Sequence, residues 1–356
     1  MHPSALTVDE IARAMGLGIP DIWTLARNMD RAFWPTRRKR VRGKEREIDS
    51  PRPYEKYLLR KLHRFMQKNL RAHKSVHGGA KRRSCFTSAR EHLGRRYVVT
   101  RDVQNAYPSI SQTALKSRLL KLGFRSDTAL LLSLLCSVHG RLAQGSPVSS
   151  DAMNLFFFDA DRAIAAACGT IGAAYSRTYD DMVISLDSRA RAEWPGGIMR
   201  KQIDALGLTI NQKKLQKAGF RPGHCEQRVH NLVVNSRHGV RIPAEQVKKA
   251  TDLAESYLRG AKVVSANTLE SLAQKRSEVT GWMYYCQQAD FGPAKNIRRM
   301  LDAGDRHVLQ ALKAANLGVR HRKWWVMAAP YCNEPARLAA AWNQQMAKSL
   351  YANYSR

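Results

Sequence analysis

Two adjacent aspartates, Asp180 and Asp181, stand in the run Tyr175-Ser-Arg-Thr-Tyr-Asp-Asp-Met-Val-Ile-Ser185. Tyr and Thr precede the pair and Met, Val and Ile follow it, the residue types of β-strands. Carboxylates side by side repel each other. At the tip of a strand–turn–strand hairpin, a divalent cation would offset that repulsion. A third carboxylate, Asp102, ends the strand-like run Tyr97-Val-Val-Thr-Arg-Asp102. Three carboxylates from two strands suit a pair of magnesium ions roughly 3.5–4 Å apart, the arrangement of in-line phosphoryl transfer. An Asp-Asp pair after a strand is by itself most often a turn, so the order of the signals around it decides.

Those carboxylates need elements to hold them. Residues 1 to 34 carry helical periodicity (Leu6, Ile11, Met15, then Ile22, Leu25, Met29), and Thr7-Val-Asp-Glu10 has the form of a capped helix start. Thr7 to Arg31 also fits a helix-turn-helix with Gly16-Leu-Gly18 as its turn; packing on a larger domain is the favoured reading. Residues 37 to 49, with Arg37, Arg38, Lys39, Arg40 and Arg46, form a basic run centred on Gly43 that reads as a β-hairpin able to clamp phosphates. A long amphipathic helix, about Tyr54 to Leu70, follows, and then a glycine turn with Lys81, Arg82 and Arg83. Leu115 to Cys136 reads as leucine-rich helices, and Asp151 to Ala167 as one mostly buried helix. Beyond Pro243 the pattern is helical throughout, with Lys275, Arg276, Arg298 and Arg299 as cations near Trp282 and Tyr285; a core role for those two aromatics is at least as well supported. His321 to Arg356 reads as an amphipathic helix or two with little acid.

Sixty Lys and Arg against 29 acids give a formal charge of +31 over 356 residues. Such an excess predicts a polyanionic partner, with nucleic acid the most economical choice. A membrane surface is the alternative, but no stretch of about 18 apolar residues exists, so no membrane partner is expected. The N-terminus lacks a charged-then-apolar pattern. Six scattered cysteines, Cys332 the last, show no Cys-x-x-Cys spacing. They read as reduced thiols of a cytoplasmic protein.

From Asp102 onward the chain resembles a bacterial reverse transcriptase of the retron-like or related defence-associated type. Asp102 to Ile110, with Tyr107 five residues after the aspartate, resembles the first palm motif, and Gln144-Gly145-Ser-Pro147 the second. Thr178-Tyr179-Asp180-Asp181 resembles the Tyr-x-Asp-Asp box, and Gly207 to Lys214 the next motif. Val229 to Asn235 sits where the family places its primer-grip hairpin. The resemblance covers about residues 35 to 300. It implies an α+β right-hand polymerase fold. Residues 1–96 would form N-terminal helices and fingers, 97–242 the palm with a small antiparallel sheet, and 243–356 a helical thumb and C-terminal extension.

The activity it implies is RNA-directed DNA polymerisation with two Mg2+ ions on Asp102, Asp180 and Asp181. Lys214 would assist at the pyrophosphate. Arg46, Tyr107, Gln144 and Gly145 would hold the nucleotide, with Tyr107 under the sugar. Arg37, Arg38, Lys39, Arg40, Lys81, Arg82, Arg83, His92 and Tyr179 would contact nucleic acid. Tyr179 fills the variable place of the box, and Thr178 the place where the family usually has an aromatic. Ser88-Ala-Arg-Glu-His92 is close to the retron signature Asn-Ala-x-x-His, with Ser for Asn. The second signature, Val-Thr-Gly, falls on Val229-His230-Asn231 and keeps only the valine. The implied partners are a dedicated structured noncoding RNA as template or scaffold, dNTPs and the DNA product, in phage defence. An effector protein and a second copy of the chain are left open. Two other functions stay in view: DNA synthesis that is template-independent or repeat-templated, and a non-catalytic RNA-binding scaffold.

Overall fold

A computed structural model describes residues 3–41, 44–188, 194–212, 220–289 and 291–314. Gly43, Lys214, Cys332 and the C-terminal segment 321–356 lie outside the described residues. The chain divides into two compact units, Met1–Arg237 and His238–Arg356.

In the first unit the elements run α1 (Val8–Met15), α2 (Ile19–Arg27), β1 (Arg37–Val41), β2 (Lys44–Ile48), α3 (Pro53–Asn69), α4 (Cys85–Arg90) and β3 (Tyr97–Asp102). Next come α5 (Ala106–Ser109), α6 (Gln112–Lys121), α7 (Ser126–Leu135), β4 (Ser137–Val138), β5 (Arg141–Leu142), α8 (Ser149–Phe156) and α9 (Phe158–Gly169). The unit closes with β6 (Ala174–Thr178), β7 (Asp181–Leu186), α10 (Trp194–Ala205), β8 (Phe220–Pro222), β9 (Arg228–Val229) and β10 (Leu232–Val233).

The capped start is present. Thr7 Oγ1 accepts from the Glu10 amide at 3.2 Å, and Glu10 Oε2 accepts from the Thr7 amide at 3.0 Å. Ile11, Met15 and Ile22 then bury with Leu59, Leu62 and Met66 of α3 in one core. The apolar faces of α1 and α2 are therefore packed into the core of the first unit. The basic run is an antiparallel hairpin whose register pairs Lys39 with Arg46.

The central sheet has the order β6-β7-β3-β8, and its pairs are antiparallel. Helices α9 and α10 pack against β6 and β3, respectively. The single helix expected over Asp151 to Ala167 is two, broken at Phe157 (φ −85°, ψ −3°). The break lets two groups meet one buried cation: the Phe157 ring centroid lies 4.7 Å from the Arg177 guanidinium carbon, and Asp161 of α9 pairs with the same side chain. Periodicity carries no sign of such a partner.

The second unit holds α11 (Ala244–Lys262), α12 (Ala266–Gln287) and α13 (Phe291–Ala314). Its core includes Tyr257, Val279, Cys286, Ile297 and Val308. Arg276, one of the cations noted near Trp282 and Tyr285, is buried and forked onto Asp305 at 2.7 and 2.6 Å, where Tyr257 Oη also donates. Arg298 and Arg299 are exposed, and Lys249 Nζ stands 6.0 Å from the Trp282 ring centroid. No described helix is long and apolar enough to cross a membrane.

Candidate active site

The register of the central sheet places Asp102 directly opposite Asp181. Thr178 pairs with Asp181 across a tight turn formed by Tyr179 and Asp180. Tyr179 takes the left-handed conformation (φ 57°), which closes so short a turn. One ligand oxygen each from Asp102, Asp180 and Asp181 all lie within 4.8 Å of one another. Asp102 is buried and the other two are half-buried. Asn211 fixes the first carboxylate: its amide donates to the Asp102 carbonyl at 2.8 Å and its side chain to Asp102 Oδ2 at 3.0 Å. Hard carboxylate oxygens at this spacing could hold a divalent metal ion, and Asp102 and Asp180 line a cavity beside them.

That cavity, about 490 Å³, joins the carboxylates to cations. Arg38 and Arg46 line it from the basic hairpin, Tyr107 and Gln144 from below, and Asp102 and Asp180 from the sheet. Burial and the Asp180 carboxylate hold the Tyr107 phenol well above its ordinary value, so it stays neutral. Gly145 sits at φ +123°, and a Cβ there would lie 2.8 Å from the Asp49 carbonyl oxygen. The glycine thus lets the Gln144 turn close against the base of the hairpin. Asp49 locks the two together. Its amide donates to the Gln144 carbonyl at 2.8 Å, its Oδ2 accepts the Gln144 amide at 2.9 Å, and Arg141 pairs with it at 3.1 Å. Asp49 was not singled out from sequence, where it closes a basic run.

Arg177 is the other residue that sequence reasoning passed over. It is fully buried on β6, three residues before Asp180. Its Nε and Nη2 donate to Asp161 at 2.8 and 2.7 Å, and its Nη1 to the Tyr179 carbonyl at 2.7 Å. Burial works against its charge, but the Asp161 carboxylate more than offsets that and holds it protonated. The turn carrying Asp180 is therefore tethered from beneath. From the side, Gly78 approaches so closely that a Cβ would stand 2.4 Å from the Tyr179 amide nitrogen.

The model of the family described as reverse transcriptase (RNA-dependent DNA polymerase) matches residues 39–248, more than half the chain. The chain belongs to the reverse transcriptase family. With that, the α+β, right-hand polymerase expectation stands. Among curated reverse transcriptases, that of retron Mx162 from Myxococcus xanthus is 27% identical over 303 residues, covering 75% of this chain and 62% of the relative. Retron Se72 reverse transcriptase from Salmonella heidelberg (strain 579083-10) is 28% identical over 201 residues, 55% of this chain and 52% of its own. Retron Ec86 reverse transcriptase from Escherichia coli is 26% identical over 227 residues, 63% and 64% respectively. The chain thus spans somewhat over half the length of these relatives. Among solved structures, telomerase from Candida albicans in complex with a TWJ fragment of telomeric RNA aligns at a TM-score of 0.42 and 10% identity, over 85% of this chain and 68% of that one. So loose a match adds nothing to the fold.

Arg37, Arg38, Lys39, Arg40, Lys81 and Arg82 are exposed. Arg83, also exposed, turns back to donate to the Val76 carbonyl at 3.0 Å and to that of Lys74, which ties its own loop. Tyr179 is 40% exposed. It lines a second cavity of about 740 Å³ with Pro147, Ser150, Arg64, Lys68 and Lys81, not the one that holds Tyr107. His92 is a correction. Expected at nucleic acid, it is fully buried, with Nδ1 2.7 Å from Ser185 Oγ and Nε2 2.7 Å from Ser176 Oγ. Burial, aided by the nearby His230, pushes its pKa down to about 3, so it is a neutral core residue. The signature it belongs to specifies the residue and not the direction it faces.

Proposed function

We propose that this chain is an RNA-directed DNA polymerase that extends a DNA strand on a dedicated structured noncoding RNA, in phage defence. The single observation carrying the reading is that Asp102, Asp180 and Asp181 offer oxygens within 4.8 Å of one another at a cavity also lined by Arg46, Tyr107 and Gln144. Two Mg2+ ions held by those carboxylates would lower the pKa of the primer hydroxyl and neutralise the leaving pyrophosphate. The chain's own residues do the rest. Arg46 and Arg38 receive the triphosphate with charge-assisted hydrogen bonds. Tyr107, kept neutral, lies under the sugar, where it crowds a 2′-hydroxyl and so favours dNTPs. Gln144 and Gly145 bring backbone close to the nucleotide, and Lys214 supplies a proton or positive charge at pyrophosphate.

The charge of +31 favours a polyanion held tightly over an extended surface. Arg37, Lys39, Arg40, Lys81 and Arg82 are the exposed cations assigned to it, and Tyr179, beside Arg64 and Lys68, is assigned to a strand passing the second cavity. The similarity to retron reverse transcriptases supports a noncoding RNA as template or scaffold.

The test is to purify the protein from its host, sequence the RNA and DNA that accompany it, and repeat with Asp180→Ala. The expected result is DNA complementary to one structured RNA, with primer extension falling by about 10³-fold or more in the variant, as loss of a metal ligand implies. A homopolymeric or simple-repeat product would favour template-independent or repeat-templated synthesis. RNA retained with biological function unchanged in Asp180→Ala would overturn the polymerase reading in favour of a scaffold.

A further inference from the structure

A chain of buried hydrogen bonds runs behind the carboxylate hairpin. His92 bridges Ser185 of β7 and Ser176 of β6 at 2.7 Å each. Ser176 Oγ is 2.7 Å from Ser88 Oγ of α4, and Ser88 Oγ is 2.8 Å from His230 Nε2. Ser88, His92, Ser176 and Ser185 are all fully buried. Ser176 and Ser185 lie four residues from Asp180 and Asp181 on the two strands of the hairpin, about 13 Å along them at ~3.3 Å per residue. At the far end, His230 and Asn231 form the turn between β9 and β10, both left-handed (φ 49° and 66°). That is the conformation of a two-residue primed turn.

The last link of this chain, Ser88 to His230, joins two of the three positions where the sequence departs from the retron signatures; the third is Asn231. Those signatures put Asn at the position of Ser88 and Thr at that of His230. Set on this backbone, that pair would put the longer polar side chain on the helix and the shorter one on the turn. Here the lengths are exchanged: a short hydroxyl on α4 and a long imidazole on the turn. These two departures meet at 2.8 Å, and the third, Asn231 for Gly, keeps the left-handed turn.

We propose that Ser88 and His230 form a positioning pair. Their hydrogen bond fixes the β9–β10 hairpin against the strands bearing Asp180 and Asp181, and so sets where the primer end meets the carboxylates. Neither residue lines the nucleotide cavity, so the pair acts through the hairpin and not on the dNTP. The proposal rests on the polymerase reading and on the hairpin's place in the primer-grip position.

The experiment is a double-mutant cycle with Ser88→Asn, His230→Thr and the two combined, which restores the signature pair. Primer extension on poly(rA)/oligo(dT) is measured with separate KM values for primer–template and dTTP, beside urea unfolding. Each single variant is expected to raise the primer–template KM about tenfold with the dTTP KM unchanged. The double variant is expected to return to within about threefold of wild type in both KM and unfolding midpoint. His230→Gln, which keeps a polar atom at similar reach, is expected to stay within about threefold throughout and guards against a single variant that fails to fold. Singles that match wild type, fold-changes that multiply in the double, or a dTTP KM that moves alongside would each overturn the proposal. A wild-type protein that folds but extends no primer overturns the polymerase reading instead, and the positioning role with it.

Discussion

Replacing Arg177 by Met separates what holds the fold from what holds the site. The guanidinium is fully buried, forks onto Asp161, and donates to Asn154 Oδ1 at 3.2 Å and to the Tyr179 carbonyl at 2.7 Å. Met fills similar space but leaves the Asp161 carboxylate buried with the Tyr175 hydroxyl, 2.7 Å away, as its remaining side-chain donor among the described residues. Breaking a buried pair from one side costs about 3–5 kcal/mol. For a unit of this size that lowers the thermal midpoint by roughly 6–20 °C, at about 2–4 °C per kcal/mol. The Tyr179 carbonyl also loses its tether, so kcat for Mg2+-dependent primer extension is expected to drop about tenfold, equivalent to about 1.4 kcal/mol of transition-state stabilisation. Adding Asp161→Leu removes the stranded charge. The double variant should regain at least half of the lost stability in urea unfolding, yet keep the low kcat, because nothing restores the bond to Tyr179. A stability loss below about 1 kcal/mol in Arg177→Met, or recovery of stability and kcat together in the double variant, would refute the reasoning.

Two further outcomes follow from the same contacts. Gly145→Ala puts a Cβ 2.8 Å from the Asp49 carbonyl and 3.2 Å from Ile48 Cγ2 at φ +123°, so the hairpin base must shift. The expected sign is a dNTP KM raised about tenfold with primer–template KM unchanged, since the strained site (about 1–3 kcal/mol) adjoins the nucleotide cavity; an unchanged dNTP KM would contradict it. Burial also pushes His77 and His92 down to about 4 and about 3. Below their ordinary value near 6.5 the unfolded chain takes up protons that the native one does not, so stability is full above that pH and declines as pH falls. The loss is about 2 kcal/mol for each histidine between pH 7.5 and 5. His63 runs the other way: its hydrogen bond to Asp151 raises its pKa, and its contribution fades as pH rises through that raised value. Urea midpoints across this range should fall toward acid, with His92→Gln flattening the slope; a flat wild-type profile would contradict the assignment.

The carboxylate cluster was legible in the sequence because its chemistry dictates both residue type and local pattern. Asp102 closes an apolar alternation and Asp180-Asp181 interrupts another, so strand registry alone brings them opposite each other. The residues that brace the cluster were not legible. Arg177 lies inside the same motif, but nothing local distinguishes a buried arginine from a solvated one. Its partner Asp161 sits sixteen residues earlier, on a helix whose break at Phe157 leaves the apolar periodicity intact. Asp49 is hidden for the same reason, as one acid at the end of a basic run whose partners, Arg141 and Gln144, lie more than ninety residues on. His92 shows the converse error: a signature supplied its identity, and its burial between two serines was set by the far side of the sheet.

These bracing residues share a logic that follows from the charge they support. Adjacent carboxylates push the Tyr179–Asp180 turn open, and apolar packing, being non-directional, resists sliding of such a turn only weakly. Hydrogen bonds with fixed geometry resist it better. Successive residues of β6 point to opposite faces of the sheet. Ser176 thereby joins the neutral chain through His92 and Ser88, and Arg177 joins the charged cluster with Asp161 and Tyr175. The strand leading into the metal box is thus held by directional bonds on both faces. On one face the chain extends through Ser88 to His230, and on the other Asp161 supplies the charge paired with Arg177. On this view the low pKa of His92 is a requirement of its place: a protonated imidazole between two serine hydroxyls would have no acceptor charge to balance it, and the link between the two hairpins would come apart.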